Sequence, residues 1–445
     1  MKIVIIGYGS AGMTAAGYAR VFNRKAEIIA FEKRSYATYH PCSLPDAIGG
    51  VLPMESLVEE APKLPRFKLY TSTVVEEVDR SAKVVRARNL KTGGKIETEY
   101  DKLILTTGSV PFVPRAIKVE NAESVYTLKT VEDAVAIRKD AEKYRRAVVV
   151  GGSFIGIEVA HALRKIGVDV TLVEYFPYLM PGKLDPELAK TVKEALEKEG
   201  IKVILGKGVS LVSGPAGDKR VIAGDEEIRT GLVVMATGVR PEVTLAKQIG
   251  LEIGERGGIK VDDNLRTSDP DIYAAGDNVE VKDIVTGKPT LSLLGSTAVR
   301  MGRIAGINAA GGNLTFKGVV NVWVVNIEHL QFGAVGLTLE MAKKYGLDAV
   351  AVTISAPQKL SIYPEASELT IRLTVDRETG KLLGGQVMGK SGILCRLDVL
   401  AVAILKDMTV EDLAELELAY TPSLCDVIDP LHVAADATLR RISRK

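Results

Sequence analysis

A strand–glycine turn–helix–strand unit occurs twice in this chain and constrains the fold more than any other feature. The first copy fills residues 1–33 and begins with the apolar run Lys2 to Ile6. The second fills residues 147–174 and begins with Ala147 to Val150. Strands that are apolar along their whole length are typical of a parallel sheet covered by helices on both faces. The repeat therefore predicts an α/β protein with two such sheets.

The first glycine turn has the complete spacing of a dinucleotide cradle, with Gly7, Gly9 and Gly12. In this pattern the first glycine permits the tight turn, the second lets a diphosphate approach the backbone, and the third allows helix and strand to pack closely. Glu32 lies 20 residues after Gly12, where an acid bonds a ribose diol. The alternative is a glycine-rich turn of purely structural use, but the strand, the helix and the acid favour a dinucleotide site.

The second turn departs from this spacing. Gly151 and Gly156 fit, but Ser153 takes the place of the middle glycine. Glu174 lies 18 residues after Gly156, and residues 175–178 contain no Arg or Lys. A 2′-phosphate would meet a carboxylate and no cation, so we predict NADH as the preferred nicotinamide and leave NADPH open. Two dinucleotide sites in one chain indicate electron transfer between two carriers, which the protein holds and orients.

Bulk properties exclude several classes of function. The 445 residues include 58 Lys and Arg against 56 Asp and Glu, so net charge suggests neither a nucleic-acid nor a membrane partner. No apolar run reaches the length of a spanning helix. The first strand directly follows Met1-Lys2, so we expect no cleavable leader and a cytoplasmic location. The residues show no metal-ligand cluster, and the three separated cysteines form no disulfide framework.

These motifs resemble those of the pyridine nucleotide-disulfide oxidoreductases over essentially the whole chain. The similarity covers GYGSAG at 7–12, GGSFIGIE at 151–158 and TSDPDIYAAGD at 267–277. It implies two Rossmann-like dinucleotide-binding domains plus a C-terminal α+β dimerisation domain. We expect an FAD-binding domain from residues 1–113 and 246–318, an NAD(P)H-binding domain from 114–245, and a dimerisation domain from 319–445.

The resemblance also assigns residues to each cofactor. FAD is expected at Gly7, Gly9, Ser10, Ala11, Gly12, Glu32, Lys33, Thr107, Gly108 and Asp277. NADH is expected at Gly151, Gly152, Ser153, Phe154, Ile155, Gly156, Glu158, Glu174 and Gly238.

Cys42 resembles the redox cysteine of the single-cysteine branch, which includes coenzyme A-disulfide reductases, NADH-dependent persulfide reductases, NADH oxidases and NADH peroxidases. A following helix and a neighbouring ring system are expected to lower its pKa. The resemblance implies that electrons pass from NADH through FAD to Cys42, whose thiolate attacks a disulfide or persulfide. The alternative is a buried structural cysteine.

Tyr363 and Tyr420 match tyrosines that approach the active site in this family, Tyr420 from a partner subunit, which implies a homodimer. A phenol there would donate a proton to the leaving sulfur, and the alternative for each is an interface aromatic. Cys425 is interpreted as a buried thiol, with a resolving thiol as the alternative, and Cys395 as structural.

The substrate is the least constrained part of the prediction. Thr14, Arg20, Thr38 and His40 are the candidate substrate contacts. The basic residues that coenzyme A phosphates require are largely missing, which favours a small persulfide, polysulfide or disulfide and leaves a coenzyme A-linked substrate open. Ser10 stands where the peroxidases have histidine, which argues against peroxide reduction. An NADH oxidase and a non-thiol electron-carrier flavoprotein reductase remain alternatives.

Overall fold

A computed structural model describes residues 1–62 and 65–443. Two short helical turns, Pro41–Ser43 and Met54–Leu57, accompany the α-helices. The α-helices of these ranges are α1 Ser10–Phe22, α2 Leu44–Ile48, α3 Val131–Tyr144, α4 Phe154–Lys165, α5 Pro186–Lys198, α6 Thr244–Gln248, α7 Gly295–Ala309, α8 Leu339–Lys344, α9 Ile393–Leu405, α10 Val410–Ala414 and α11 Pro430–Ile442.

The strands are numbered in chain order. Those of the first part are β1 Lys2–Ile6, β2 Glu27–Phe31, β3 Thr38–Tyr39, β4 Val58–Glu59, β5 Phe67–Tyr70, β6 Thr73–Asp79, β7 Val84–Asn89, β8 Lys95–Glu99, β9 Lys102–Leu105 and β10 Ser109–Pro111. Those of the middle are β11 Lys118–Val119, β12 Val125–Thr127, β13 Arg146–Val150, β14 Asp169–Glu174, β15 Lys202–Leu205, β16 Val209–Ser213, β17 Lys219–Ala223, β18 Glu226–Thr230, β19 Leu232–Met235 and β20 Val239–Pro241. Those of the last part are β21 Ile259–Lys260, β22 Ile272–Ala274, β23 Val279–Lys282, β24 Pro289–Thr290, β25 Trp323–Ile327, β26 Leu330–Gly336, β27 Ala349–Pro357, β28 Glu368–Asp376 and β29 Leu382–Gly389.

Two parallel sheets carry the repeated units. The first has the strand order β22-β9-β1-β2-β5 and the second the order β12-β19-β13-β14-β15. All neighbouring pairs in both sheets are parallel. The central strands β1 and β13 are buried, as expected for strands with helices on both faces. In each sheet the glycine turn follows the central strand, so both turns lie at the carboxyl edge, where ligands bind in open α/β sheets.

The helix that follows the first turn is held unusually close to a neighbouring helix. A Cβ atom placed on Gly302 of α7 would lie 2.3 Å from the Ala11 carbonyl oxygen of α1. A Cβ on Gly306 would lie 2.3 Å from the Ala15 carbonyl oxygen. The two glycines therefore let the backbones of α1 and α7 pack in direct contact.

The C-terminal part is an antiparallel sheet of order β25-β26-β29-β28-β27, covered by α9 and α11. The mixed α/β architecture and this separate α+β unit confirm the predicted fold class. The glycines of β26 let its neighbour approach closely, since a Cβ on Gly333 would lie 2.4 Å from the Trp323 carbonyl oxygen of β25.

A buried ionic group joins the second parallel sheet's helices to the C-terminal sheet. Asp185, which precedes α5, accepts hydrogen bonds from Arg372 Nε and from Gln386 Nε2, both at 2.7 Å. Asp185 is 3% exposed and Arg372 is 8% exposed. Removing Arg372 would leave the buried carboxylate of Asp185 without its cation, so this pair holds the two parts of the chain against each other.

Within residues 1–62 and 65–443, none of the helices has the length and apolarity that crossing a membrane requires.

Candidate active site

In the first turn, the backbone packing requires glycine at two of the three glycine positions and does not require it at the third. A Cβ on Gly7, which has a φ of 92°, would lie 2.3 Å from the Thr106 carbonyl oxygen. A Cβ on Gly12 would lie 2.2 Å from the Gly7 carbonyl oxygen. On Gly9 the nearest protein atom would be Nη2 of Arg34 at 4.0 Å. The protein itself therefore does not require glycine at position 9, and this open surface fits the approach of a diphosphate to the start of α1.

Ser10 and Ala11 are the first two residues of α1, and their backbone N–H groups belong to the helix terminus that faces the turn. Glu32, at the end of the next strand, is 2% exposed. It accepts hydrogen bonds from the Tyr8 N–H at 2.8 Å and from the Arg34 N–H at 2.9 Å. Lys33 is exposed. The turn and its acid are thus brought together as the spacing predicted.

The second turn repeats this geometry with one difference. A Cβ on Gly151 would lie 2.4 Å from the Ala236 carbonyl oxygen, and one on Gly156 would lie 1.8 Å from the Gly151 carbonyl oxygen. Glu174 accepts hydrogen bonds from the Gly152 N–H at 2.6 Å and from the Phe176 N–H at 2.8 Å. Ser153 stands at the N-terminus of α4 and caps it without a side-chain hydrogen bond. Its side chain occupies the position that Gly9 leaves open in the first turn.

The first turn of α4 faces the C-terminal sheet. The ring of Phe154 packs edge-on against Trp323, with ring centroids 4.9 Å apart. Ile155 and Glu158 are half-buried on the same helix. Burial and the nearby Asp46 raise the pKa of Glu158 to about 7. Trp323 was not predicted as part of this site, because its position follows from the packing of two distant segments.

Gly108 and Gly238 follow the strands β9 and β19, each directly after a threonine, and both border open surface beside the turns. A Cβ placed on either glycine would have no protein atom within 4 Å. Thr107 Oγ1 donates to the Glu242 carbonyl oxygen at 2.5 Å, which ties the first of these strand ends to the segment before α6. The carboxyl ends of β9 and β19 therefore both leave room for a ligand beside the glycine turns.

Asp277, after β22, lies in a small cluster of polar side chains with Ser109 and Lys129, of which the sequence predicted only Asp277. It accepts a hydrogen bond from Ser109 Oγ at 2.7 Å, and Lys129 Nζ donates to the same Ser109 oxygen at 2.8 Å. Lys129 Nζ is 3.9 Å from Asp277 Oδ2. The backbone of Lys129 is held by Tyr39, whose phenol donates to the Lys129 carbonyl oxygen at 2.6 Å. No sequence motif marked Lys129 beyond its place before the start of α3.

Cys42 lies in the helical turn Pro41–Ser43, directly before α2, and is exposed. Partial burial of the thiol raises its pKa, and the carboxylates of Glu158 and Asp277 raise it further, while Lys129 opposes them. The expectation of a lowered pKa is therefore wrong for the groups that the protein supplies. The physical reason is that burial disfavours the charged thiolate and that two nearby carboxylates outweigh one lysine.

Tyr363 and Tyr420 lie in two loops of the C-terminal part that contact each other. Gln358 Nε2 donates to the Leu424 carbonyl oxygen at 2.6 Å, which joins the loop after β27 to the turn at 419–425. Neither phenol makes a hydrogen bond within residues 1–62 and 65–443, and Tyr420 is 50% exposed. The single chain therefore does not join these phenols to Cys42 by a hydrogen bond.

The other two cysteines lie near these loops. Cys425 accepts a hydrogen bond from the Thr421 N–H at 3.4 Å and thereby closes the turn that presents Tyr420. Cys395 is exposed on α9, which differs from its interpretation as a structural residue.

The candidate substrate contacts are occupied by local interactions. Thr14 Oγ1 donates to the Ser10 carbonyl oxygen at 2.7 Å, and Thr38 is buried in β3. His40 Nε2 lies 2.8 Å from Glu59 Oε1. The Arg20 guanidinium donates to the carbonyl oxygens of Arg24 at 2.5 Å, Ala26 at 3.1 Å and Pro65 at 2.7 Å. A role for Arg20 in binding a phosphate would require it to give up these bonds.

No group of three His, Cys, Asp or Glu side chains suited to a metal ion occurs in the part of the chain that the structure describes.

Comparisons with known proteins identify the family of this chain. Residues 1–302 match the model of the pyridine nucleotide-disulphide oxidoreductase family, and residues 323–431 match that of its dimerisation domain. The chain is 36% identical to an NADH oxidase of Methanocaldococcus jannaschii over 452 residues, covering 100% of both chains. It is 34% identical to an NAD(P)H coenzyme A polysulfide/persulfide reductase of Pyrococcus horikoshii, covering 98% of this chain and 97% of the relative.

The structure is similar to that of an NAD-dependent persulfide reductase from A. fulgidus, with a TM-score of 0.96 and 34% identity, covering 100% of this chain and 84% of that chain. The site residues fit the cofactors of this family: the open surface at Gly9 fits FAD, and the second turn fits a nicotinamide dinucleotide. The chain belongs to the pyridine nucleotide-disulphide oxidoreductase family and is an FAD-dependent NAD(P)H oxidoreductase.

Proposed function

We propose that the protein passes two electrons from NADH through FAD to Cys42 and on to a persulfide, polysulfide or disulfide. One observation carries this proposal: Cys42 is an exposed thiol directly before α2, and the end of α2 packs against α4, where a Cβ on Gly49 would lie 3.3 Å from Ala162 Cα. The carboxylates of Asp277 and Glu158 both raise the pKa of this thiol. Asp277 follows a strand of the first parallel sheet, and Glu158 belongs to the helix of the second glycine turn. A nucleophile between two electron carriers is the arrangement that sulfur reduction needs.

In the proposed chemistry Cys42 is the only protein group that forms and breaks a bond to sulfur. Its thiolate attacks a substrate sulfur, forms a mixed disulfide and expels a thiolate or hydrosulfide. FAD, when bound, supplies the relay for the two electrons that reduce this disulfide and restore Cys42. For a persulfide the sum is NADH + H⁺ + RSSH → NAD⁺ + RSH + H₂S. For a disulfide it is NADH + H⁺ + RSSR → NAD⁺ + 2 RSH.

The tyrosines Tyr363 and Tyr420 are proposed as proton donors to the leaving sulfur in a homodimer. Several exposed apolar side chains of the C-terminal part support association with a second copy, because an apolar patch of this kind marks a protein interface. They are Leu394, Val402, Leu405, Tyr420, Leu424, Val427 and Ile428. Two loops held together by Gln358 would then present both phenols at this surface.

We propose the domain limits 1–113 with 246–318, 114–245, and 319–445. The short antiparallel pair of β10 and β20 supports them, because it joins the chain where it leaves the first parallel sheet and where it returns. The predicted preference for NADH is supported by Glu174, which is 5% exposed and meets no cation in its hydrogen bonds within the described ranges.

The test is NADH oxidation, without oxygen, against glutathione persulfide, polysulfide, coenzyme A persulfide and coenzyme A disulfide. Wild type, Cys42→Ser and Cys395→Ser are compared, because Cys395 is the other exposed cysteine and serves as a matched control. We expect turnover to be lost in Cys42→Ser and kept in Cys395→Ser. Turnover kept in Cys42→Ser would refute the role of Cys42, and no turnover of any sulfur compound by wild type would favour an electron-carrier reductase.

Reduction of oxygen is a second candidate, favoured by the 36% identity to the M. jannaschii NADH oxidase. The same variants under air separate the two functions. A kcat/KM for oxygen far above that for every sulfur compound would assign the chain as an oxidase.

A further inference from the structure

Arg34 completes the hydrogen bonding of Glu32, the acid of the first turn. Its guanidinium donates from Nε to Oε1 at 2.7 Å and from Nη2 to Oε2 at 2.6 Å. The N–H groups of Tyr8 and Arg34 donate to the same two oxygens. A carboxylate offers about four lone-pair sites. The chain's own four donors therefore fill Glu32.

A ribose hydroxyl that donates to Glu32 must replace one of these donors. The backbone N–H groups belong to the glycine turn and to the end of β2, and the fold fixes both. The Arg34 side chain is the donor that is free to turn away. Glu174, at the second turn, accepts only two N–H groups within the described ranges, so a ribose meets no competing side chain there.

The guanidinium of Arg34 already lies beside the phosphate cradle. Its Nη2 is the protein atom nearest to the position of a Cβ on Gly9, at 4.0 Å. The ring of Tyr39 lies 4.5 Å from the guanidinium carbon and that of Tyr36 lies 5.8 Å away, so cation–π contacts stabilise the positive charge beside the cradle. Arginine is well suited to a diphosphate because its planar fork donates two parallel hydrogen bonds.

We propose that Arg34 exchanges partners when a dinucleotide binds at the first turn: its guanidinium leaves Glu32 to the ribose and takes a diphosphate oxygen. Arg34 is thus a specificity-determining residue, because a ligand gains both contacts only when it carries a ribose and a diphosphate together. A nucleoside without phosphate breaks the Arg34–Glu32 ion pair and offers the guanidinium nothing in return. The inference rests on the family's use of this turn for FAD and is independent of the sulfur substrate.

The experiment uses the full-length chain freed of flavin and measures displacement of FAD, followed by flavin fluorescence, so that only the first site is read. Adenosine and ADP are the competitors. The variants are Arg34→Met, Arg34→Gln and Arg34→Lys, with Lys25→Met as a control for the loss of one exposed positive charge.

In Arg34→Met we expect adenosine to bind on the order of threefold more tightly and ADP about tenfold more weakly, the latter matching the loss of a charge-assisted hydrogen bond. Arg34→Lys should recover part of the ADP affinity and Lys25→Met should change neither. Arg34→Gln removes the charge with less loss of polarity, so it replaces the Met variant if that variant does not fold.

The other outcomes overturn the proposal. Equal weakening of adenosine and ADP would make Arg34 a structural residue. Tighter binding of both adenosine and ADP would mean that Arg34 competes for Glu32 without contacting the diphosphate. Unchanged affinity for both would mean that Arg34 has no part in this binding site. Sulfur turnover at saturating FAD is measured separately, so a failure of the proposed function would not be confused with a failure of this exchange.

Discussion

The two glycine turns share a backbone but differ in what surrounds them. In each, the first and third glycines are held by backbone carbonyl oxygens that leave no room for a Cβ. At the middle position the first turn has Gly9, and the second has Ser153. The acid of the first turn is paired with a cation, Arg34, and the acid of the second is bonded only to backbone N–H groups within the described ranges.

This difference suits two carriers with different lifetimes on the protein. An open middle position and an adjacent guanidinium favour a tightly held dinucleotide, since a diphosphate then approaches the backbone closely and meets a positive charge. A serine side chain and no cation favour a dinucleotide that binds and leaves in each cycle. The shared glycines therefore serve the fold, and the differing positions serve the function.

The largest effect is expected where the turns are alike. Gly12→Ala and Gly156→Ala should each lower the free energy of unfolding by more than about 2 kcal/mol, because the new Cβ meets a backbone oxygen at 2.2 Å or 1.8 Å that cannot move aside cheaply. Thermal midpoints measured by circular dichroism check this. Gly17→Ala in α1 is the control, because nothing lies within 4 Å of its Cβ position. A midpoint unchanged in Gly12→Ala would contradict the interpretation of this glycine as structural.

The next effect separates the turns at their middle positions. Gly9→Ser should weaken FAD binding by about tenfold or more, equivalent to about 1.4 kcal/mol, because the side chain intrudes on the diphosphate and on nothing in the protein. The thermal midpoint of the flavin-free chain should stay that of wild type. Ser153→Gly is the reverse change and should lower the KM for NADH. A fall in the flavin-free midpoint would show that Gly9 is needed by the fold after all.

A third effect concerns the acid of the second turn. Wild type should have a kcat/KM for NADH at least about tenfold above that for NADPH, because a 2′-phosphate would meet the Glu174 carboxylate. Glu174→Gln should narrow this ratio by removing the charge, while its amide oxygen keeps an acceptor for one of the two N–H groups, of Gly152 and Phe176, that bond Glu174. Steady-state kinetics with both coenzymes decide it. A clear NADPH preference in wild type would contradict the argument.

The features that could be predicted from the sequence are those that depend on the spacing of residues close together in the chain. The turns, their acids and the alternation of strands and helices follow from residues close together in the chain, so Gly7, Gly12 and Glu32 were placed correctly in the fold. Trp323 and Lys129 were missed because each acts through a contact between distant segments, against Phe154 and with Ser109. The direction of the pKa shift that the protein's own groups give Cys42 was also missed, because its neighbours are set by packing.

The smallest expected effect concerns the charged neighbours of Cys42 and their influence on its pKa. Removing the charge of Glu158 in Glu158→Gln should lower the pKa of Cys42 and raise its alkylation rate at neutral pH, and Lys129→Met should do the opposite. We expect changes on the order of threefold in rate, because charges that water reaches are strongly screened. The rate of iodoacetamide alkylation is measured against pH in a Cys395→Ser, Cys425→Ser background, so that only Cys42 reacts.

The pH dependence of the alkylation rate is a second test of the direction in which Glu158 shifts the pKa of Cys42. The pKa of Glu158 is about 7, so below neutral pH its carboxyl is protonated and adds no charge near Cys42. Wild type and Glu158→Gln should therefore have similar rates at pH 6 and diverge above pH 7, with wild type the slower, while Asp277 acts equally in both. Lys129→Met should be slower than wild type throughout. Curves that differ at pH 6 and merge above pH 7 would mean that Glu158 titrates in the opposite sense and that Cys42 is governed by other groups.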